Sequence, residues 1–209
     1  MNSRLSSLST LKRALLLGAV LATSASLSLA ADTTKQVFAP TAQQNFAGRS
    51  DWTRENVKDL PIAGNAPWTI NMFVRPEKAL YELTLIGGFG NGHDEKGSQR
   101  YVGRTGDGIH FWGGNVDIES SVPFDVGGWQ MITATFDGRT VTLYKNGEAI
   151  KAEQATLSDA APIVRLAPTG TWPQQEQHQF NGRIQGFTVW NNALSAQAIR
   201  ALMSGMPKK

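Results

Sequence analysis

Cysteine is absent from this 209-residue chain. A fold exported from the cytoplasm would therefore gain nothing from disulfides, and no thiolate is available as nucleophile or metal ligand. Histidine is scarce: His93, His110 and His178 are the three, and none stands at a metal-ligand spacing such as His-x-x-x-His. No Gly-x-Ser-x-Gly string is present to raise a serine nucleophile on a strand-to-helix elbow. Long apolar runs are missing too. The run from Ala14 to Ala22 is far short of the roughly 20 apolar residues that a spanning helix needs.

That short run has a different meaning. Arg4, Lys12 and Arg13 form a basic stretch ahead of it, and Ser28 and Ala30 place small residues before Ala31. This order is that of a cleaved signal peptide over residues 1–30, so the protein is expected to be exported, to the periplasm or the medium. No cysteine stands near the cleavage point to carry a lipid anchor, and no membrane insertion is expected once the signal is gone. Removing it also removes three basic and no acidic residues, which leaves 17 Lys+Arg against 17 Asp+Glu. A net charge of zero without a Lys/Arg cluster argues against nucleic acid as partner.

Past a polar lead-in at residues 31–65, with a short strand expected near Val37 and Phe38, the hydrophobic period is two. In Trp68–Arg75 the side chains of Trp68, Ile70, Met72 and Val74 share one face; Thr69, Asn71, Phe73 and Arg75 share the other. Comparable runs occupy Tyr81–Ile86, Tyr101–Val102, Gly108–Trp112, Asn115–Ser120, Gln130–Phe136, Val141–Lys145, Ile163–Leu166 and Arg183–Trp190. Asp137-Gly138 and Asn146-Gly147 are tight-turn dipeptides between alternating strands, so two linked antiparallel hairpins are expected. Near the C-terminus Ser195 can cap a helix whose apolar stripe is Ala198, Ile199 and Leu202, with Gly205 placed to close it. The prediction is an all-β domain over residues 66–209: two packed antiparallel sheets and one short helix.

Three strings make the pattern more specific. They are Pro67–Pro76, then Gly128–Gly138 with Val141–Gly147, then Phe180–Ser195 with Ile199–Leu202. In order and spacing they resemble the laminin G-like branch of the concanavalin A-like lectin/glucanase superfamily. The resemblance implies a jelly-roll sandwich but no particular reaction, since such folds carry lectins, adhesion modules and glycosidases alike. Where that pattern often has an acidic residue after Phe-x-Gly-x-Ile, this chain has Gln185.

Within the same superfamily, retaining glucanases carry a Glu-x-Asp-x-Glu strand. Asn115-Val116-Asp117-Ile118-Glu119 matches its last two carboxylates, but an amide occupies the nucleophile position and cannot form a glycosyl-enzyme intermediate. No catalytic residue is therefore assigned. A binding face remains: alternation sends His110 and Trp112 away from Ile109 and Phe111, toward Asn115 and Asp117, with Asn71 as a further amide. An aromatic plate beside amides and a carboxylate suits the C–H face and hydroxyls of a sugar. The opposing interpretation has Trp112 packed at the sandwich edge and His110 merely exposed. Trp172, in a polar loop, is another aromatic that could face a ligand.

The glycine-rich run Gly87–Gly97 holds Asn91, Asp94 and Glu95, hard oxygen donors that suit calcium as a cofactor, although two carboxylates fall short of a full coordination shell. Without a calcium ion it would be a mobile loop. Three functions follow in descending order. The first is an exported, non-catalytic glycan-binding module. The second is a protein-interaction or adhesion component of the periplasm or cell surface, and the third a glycoside hydrolase using Asp117 and Glu119.

Overall fold

In the computed structural model the described residues are 35–38, 42–48, 51–93, 95–169 and 178–208. The expected signal peptide, Asp94 and Trp172 lie outside them. The strands run β1 (Gln36–Phe38), β2 (Gln44–Ala47), β3 (Trp52–Arg54), β4 (Trp68–Pro76) and β5 (Thr84–Phe89). Next come β6 (Arg100–Thr105), β7 (Gly108–Trp112), β8 (Asp117–Glu119) and β9 (Gln130–Phe136). The last four are β10 (Thr140–Lys145), β11 (Glu148–Gln154), β12 (Val164–Leu166) and β13 (Asn181–Trp190).

Two antiparallel sheets result. Sheet A follows the order β1-β13-β4-β9-β10-β11, with β2 also paired to β13; sheet B follows β3-β12-β5-β6-β7-β8. The two hairpins expected at Asp137-Gly138 and Asn146-Gly147 join β9, β10 and β11. Gly138, Asn146 and Gly147 all adopt positive φ there, as tight turns require.

Period-two alternation decides what lies between the sheets. Trp68, Ile70, Met72 and Val74 of β4 enter the main core with Ile109 and Phe111 of β7 and Ile118 of β8. Trp68 stacks on Phe111 with ring centroids 5.6 Å apart, so one aromatic pair ties sheet A to sheet B. Phe180 and Phe187 are fully buried in the same core. On the outer side of sheet A, Phe73 and Met131 receive Ile199 of the helix α1 (Ala196–Leu202), flanked by Trp129 and Tyr144. Ser195 caps that helix by accepting from the Ala198 N–H at 3.2 Å. Gly205 does not close it; the helix ends at Met203 and tightens into a 3-10 turn over Met203–Gly205.

Three expectations need correction. The lead-in is part of the sandwich, because β1 and β2 pair with β13 and β3 pairs with β12. The strand expected at Tyr81–Ile86 begins later, at Thr84, and runs on through Gly87 and Gly88 to Phe89. Gly88 is needed inside β5, since a Cβ there would lie 2.0 Å from the Arg100 carbonyl oxygen of β6. Finally, Asn115 is not a strand residue: Gly114 and Asn115 have φ values of 72° and 51°, and β8 starts only at Asp117.

Candidate functional site

Sheet B presents its outer side as rows of residues set by register. Reading across all six strands, Thr53, Arg165, Gly88, Tyr101, Trp112 and Asp117 are successive cross-strand partners. The next row holds Leu85, Gly103, His110 and Glu119. Two glycines thus interrupt a line of large and polar groups. Asp117 and Glu119 occupy the open edge of the sheet and are exposed.

His110 links the rows. Its Nε2 is 2.8 Å from Asp117 Oδ1, and its Nδ1 is 3.0 Å from Thr105 Oγ1. With both ring nitrogens used, the imidazole is fixed between two strands and orients the carboxylate.

His110 and Trp112 do share a face with Asp117, as alternation predicts, but they are not wet. His110 is 1% exposed and Trp112 5%. Trp112 packs with Leu85 and Tyr101 in a small cluster of its own, its ring 6.0 Å from that of Tyr101. Tyr101 is itself sealed, donates its hydroxyl to the Gly90 carbonyl at 2.8 Å, and has its pKa pushed above the usual phenol value by burial. The packed reading of Trp112 is therefore the correct one. His110 is neither exposed nor part of an open plate.

Asn71 is corrected as well. It lies on β4 in the other sheet, 2% exposed, with its Oδ1 accepting from Thr133 Oγ1 at 2.7 Å. It cannot act with Asp117. Asn115 is exposed near that carboxylate, but at the tip of the β7–β8 hairpin, where Gly114 and Asn115 are the two central residues of a tight turn. The Gly113-Gly114-Asn115 string carried that signal.

In the glycine-rich segment before β6, hydrogen bonds join Asn91 to His93, and Asn91 and Gly92 to Gln99. Gln99 accepts from Gly92 N–H at 2.9 Å through Oε1 and donates to Asn91 Oδ1 at 2.6 Å through Nε2. Asn91 Oδ1 also accepts from the His93 N–H at 2.9 Å, so the oxygen expected to face a cation already serves the loop. Beneath it, the buried Arg100 guanidinium donates to the carbonyls of Gly97, Gln99 and Ser158. Desolvation lowers its pKa to about 10, against an opposing effect of Asp159. Glu95 is exposed, and among the described residues no group of three His, Asp or Glu side chains gathers to hold a metal.

At the far end of the first row, Arg165 donates to Asp51 Oδ2 at 2.9 Å and Thr169 Oγ1 donates to the same oxygen at 3.1 Å. Burial works to raise the Asp51 pKa; these hydrogen bonds outweigh it and hold the carboxyl below its ordinary value. Neither Asp51 nor Arg165 stood out in the sequence. Their neighbourhood depends on β3 pairing with β12, more than a hundred residues away.

Residues 48–200 match the description of the concanavalin A-like lectin/glucanases superfamily, in its laminin G type. Solved structures with the same fold include domain 4 of AbnA, an extracellular GH43 arabinanase from Geobacillus stearothermophilus in complex with arabinotriose. It is 16% identical with a TM-score of 0.59, over 76% of this chain and 75% of that one. The binding domain of Paraclostridial Mosquitocidal Protein 1 is also 16% identical, TM-score 0.59, over 82% of this chain and 47% of that one. A heptameric SAP-like pentraxin from Limulus polyphemus is 12% identical, TM-score 0.54, over 77% and 81%. At such identities the likeness concerns the fold. No curated protein matches the chain. Among the described residues no helix is long and apolar enough to cross a membrane.

Proposed function

Because the chain belongs to the concanavalin A-like lectin/glucanases superfamily, we propose that it is an exported, non-catalytic module that binds a glycan through the open edge of sheet B. The observation carrying this reading is the pair Asp117 and Glu119: both exposed, both on the outer side of β8, with Asp117 held by the buried His110. Preset carboxylates accept sugar hydroxyls with little ordering cost. Trp112 and Tyr101 contribute a rigid floor rather than a contact surface. Asn115 at the hairpin tip supplies an amide beside them.

Hydrolysis is disfavoured by the same geometry. The position that would carry the nucleophile is an amide in a left-handed turn, outside the strand that should aim it. Of the neighbours named above, one is described as a binding domain and another is a domain in complex with arabinotriose, which supports a non-catalytic reading. A protein partner is the second reading, favoured by Tyr81 and Val126, large apolar side chains that are 55% and 54% exposed.

A glycan array probed with the purified protein, with calcium and with chelator, tests the proposal. Binding to a defined set of oligosaccharides is expected. Silence in both conditions, together with a stoichiometric protein in a pull-down, would transfer the function to the second reading. Calcium-dependent signal would bring the Asn91–Glu95 loop back as a cation site.

A further inference from the structure

Sheet A carries a second polar site where β2 pairs with β13, whereas Asp117 lies on sheet B. An open cleft of about 450 Å³ is lined by Gln43, Asn45, Phe46, Glu77, Gly182 and Arg183. Register explains its charge. Asn45 of β2 is opposite Arg183 of β13, and Arg183 is directly opposite Arg75 of β4. Two guanidinium side chains thus face each other across a strand pair, an arrangement that costs stability unless anions intervene.

One carboxylate serves both. Glu77 Oε1 is 3.1 Å from Arg183 Nε but 3.7 Å from Arg75 Nε. Arg75 Nε is buried and has no hydrogen-bond partner among the described residues. No second carboxylate pairs with either arginine among those residues. The row is one negative charge short. Beside it, Gln43 donates to Asn45 Oδ1 at 3.0 Å, which leaves the remaining amide groups of both side chains to meet hydroxyls.

We propose that this cleft binds a saccharide bearing a carboxylate that pairs with Arg183, the arginine lining it, and so offsets the excess positive charge of the Arg75–Arg183 row, while Gln43 and Asn45 take neighbouring hydroxyls. The proposal takes from the carbohydrate reading only that the ligand is a sugar; its site and charge rule are separate.

Titration calorimetry of the full chain with an oligogalacturonate, its methyl ester and inorganic phosphate is the test. The acid should bind, and the ester about tenfold more weakly, as expected for loss of a charge-assisted contact. Arg183→Ala should weaken the acid by a similar factor. Glu77→Gln, which removes the competing anion, should hold or strengthen it, and this variant guards against a misfolded Arg183→Ala. Lys151→Gln, which removes a cation from β11 at the opposite edge of the sheet, should leave it unchanged. Equal binding of acid and ester, no binding of the acid, indifference to Arg183→Ala, or phosphate binding as tight as the oligosaccharide would each overturn the proposal. Neutral glycans that bind and respond to Asp117→Asn alone would leave the sheet B reading standing without this one.

Discussion

His110 and Asp117 are joined Nε2 to Oδ1 at 2.8 Å across the β7–β8 hairpin, so a buried imidazole holds an exposed carboxylate in place. The bond is diagonal, since His110 is directly opposite Glu119 and Asp117 is opposite Trp112. Thr105, His110 and Asp117, on three successive strands, are therefore joined through one imidazole.

Asp117→Ala should destabilise the protein by about 1–3 kcal/mol, because it leaves a buried ring nitrogen without its partner. Asp117→Asn, which keeps an oxygen at the site, should cost less. Urea unfolding of both variants measures the difference, and equal losses would show that the bond does not orient the carboxylate.

Trp112→Ala tests packing rather than ligand contact. Removing an indole that is 5% exposed against Leu85 and Tyr101 should cost about 3–5 kcal/mol. A loss below about 1 kcal/mol would contradict burial of this face and return Trp112 to the role of an exposed plate.

At Asn115 the backbone sets the outcome. With φ at 51°, Asn115→Ala should cost about 1 kcal/mol, while Asn115→Gly should be neutral or stabilising. If glycan binding survives Asn115→Gly, the residue acts through the turn; if it is lost, the amide itself touches sugar.

Acid should reveal Asp51. Its folded pKa lies below the ordinary 3.8, so its ionised form is stabilised by folding. That contribution is complete above the unfolded value and disappears as pH falls through the folded one. Asp51→Asn should therefore flatten the fall in stability below about pH 4 and lower stability near neutrality. Identical acid unfolding curves would contradict the Arg165 and Thr169 hydrogen bonds.

Much of this arrangement could be read from period-two alternation alone. It assigned Trp68, Ile70, Met72 and Val74 to the core side of one strand and paired His110 with Trp112 on one face, because side-chain direction is a local property. It could not place Asn71 in the opposite sheet, since β4 finds β9 and β13 by pairing across the chain. Nor could it tell that His110 and Trp112 are covered, because burial of an outer face depends on what packs over it. At Asn115 two local signals point different ways. The likeness to a carboxylate-bearing strand competed with Gly113-Gly114-Asn115, and the turn chemistry prevailed. The short β2 and β3 offered too few residues for any period to show.

The central claim is that exposed carboxylates on β8 hold a glycan without cleaving it. Calorimetry on an oligosaccharide identified by array, comparing wild type with a folded Asp117→Asn/Glu119→Ala variant and followed by product analysis, tests it most directly. The account predicts affinity lowered at least about tenfold in the variant and an intact oligosaccharide with the wild type. Undiminished affinity in the variant, or shortened products that vanish with it, would contradict it.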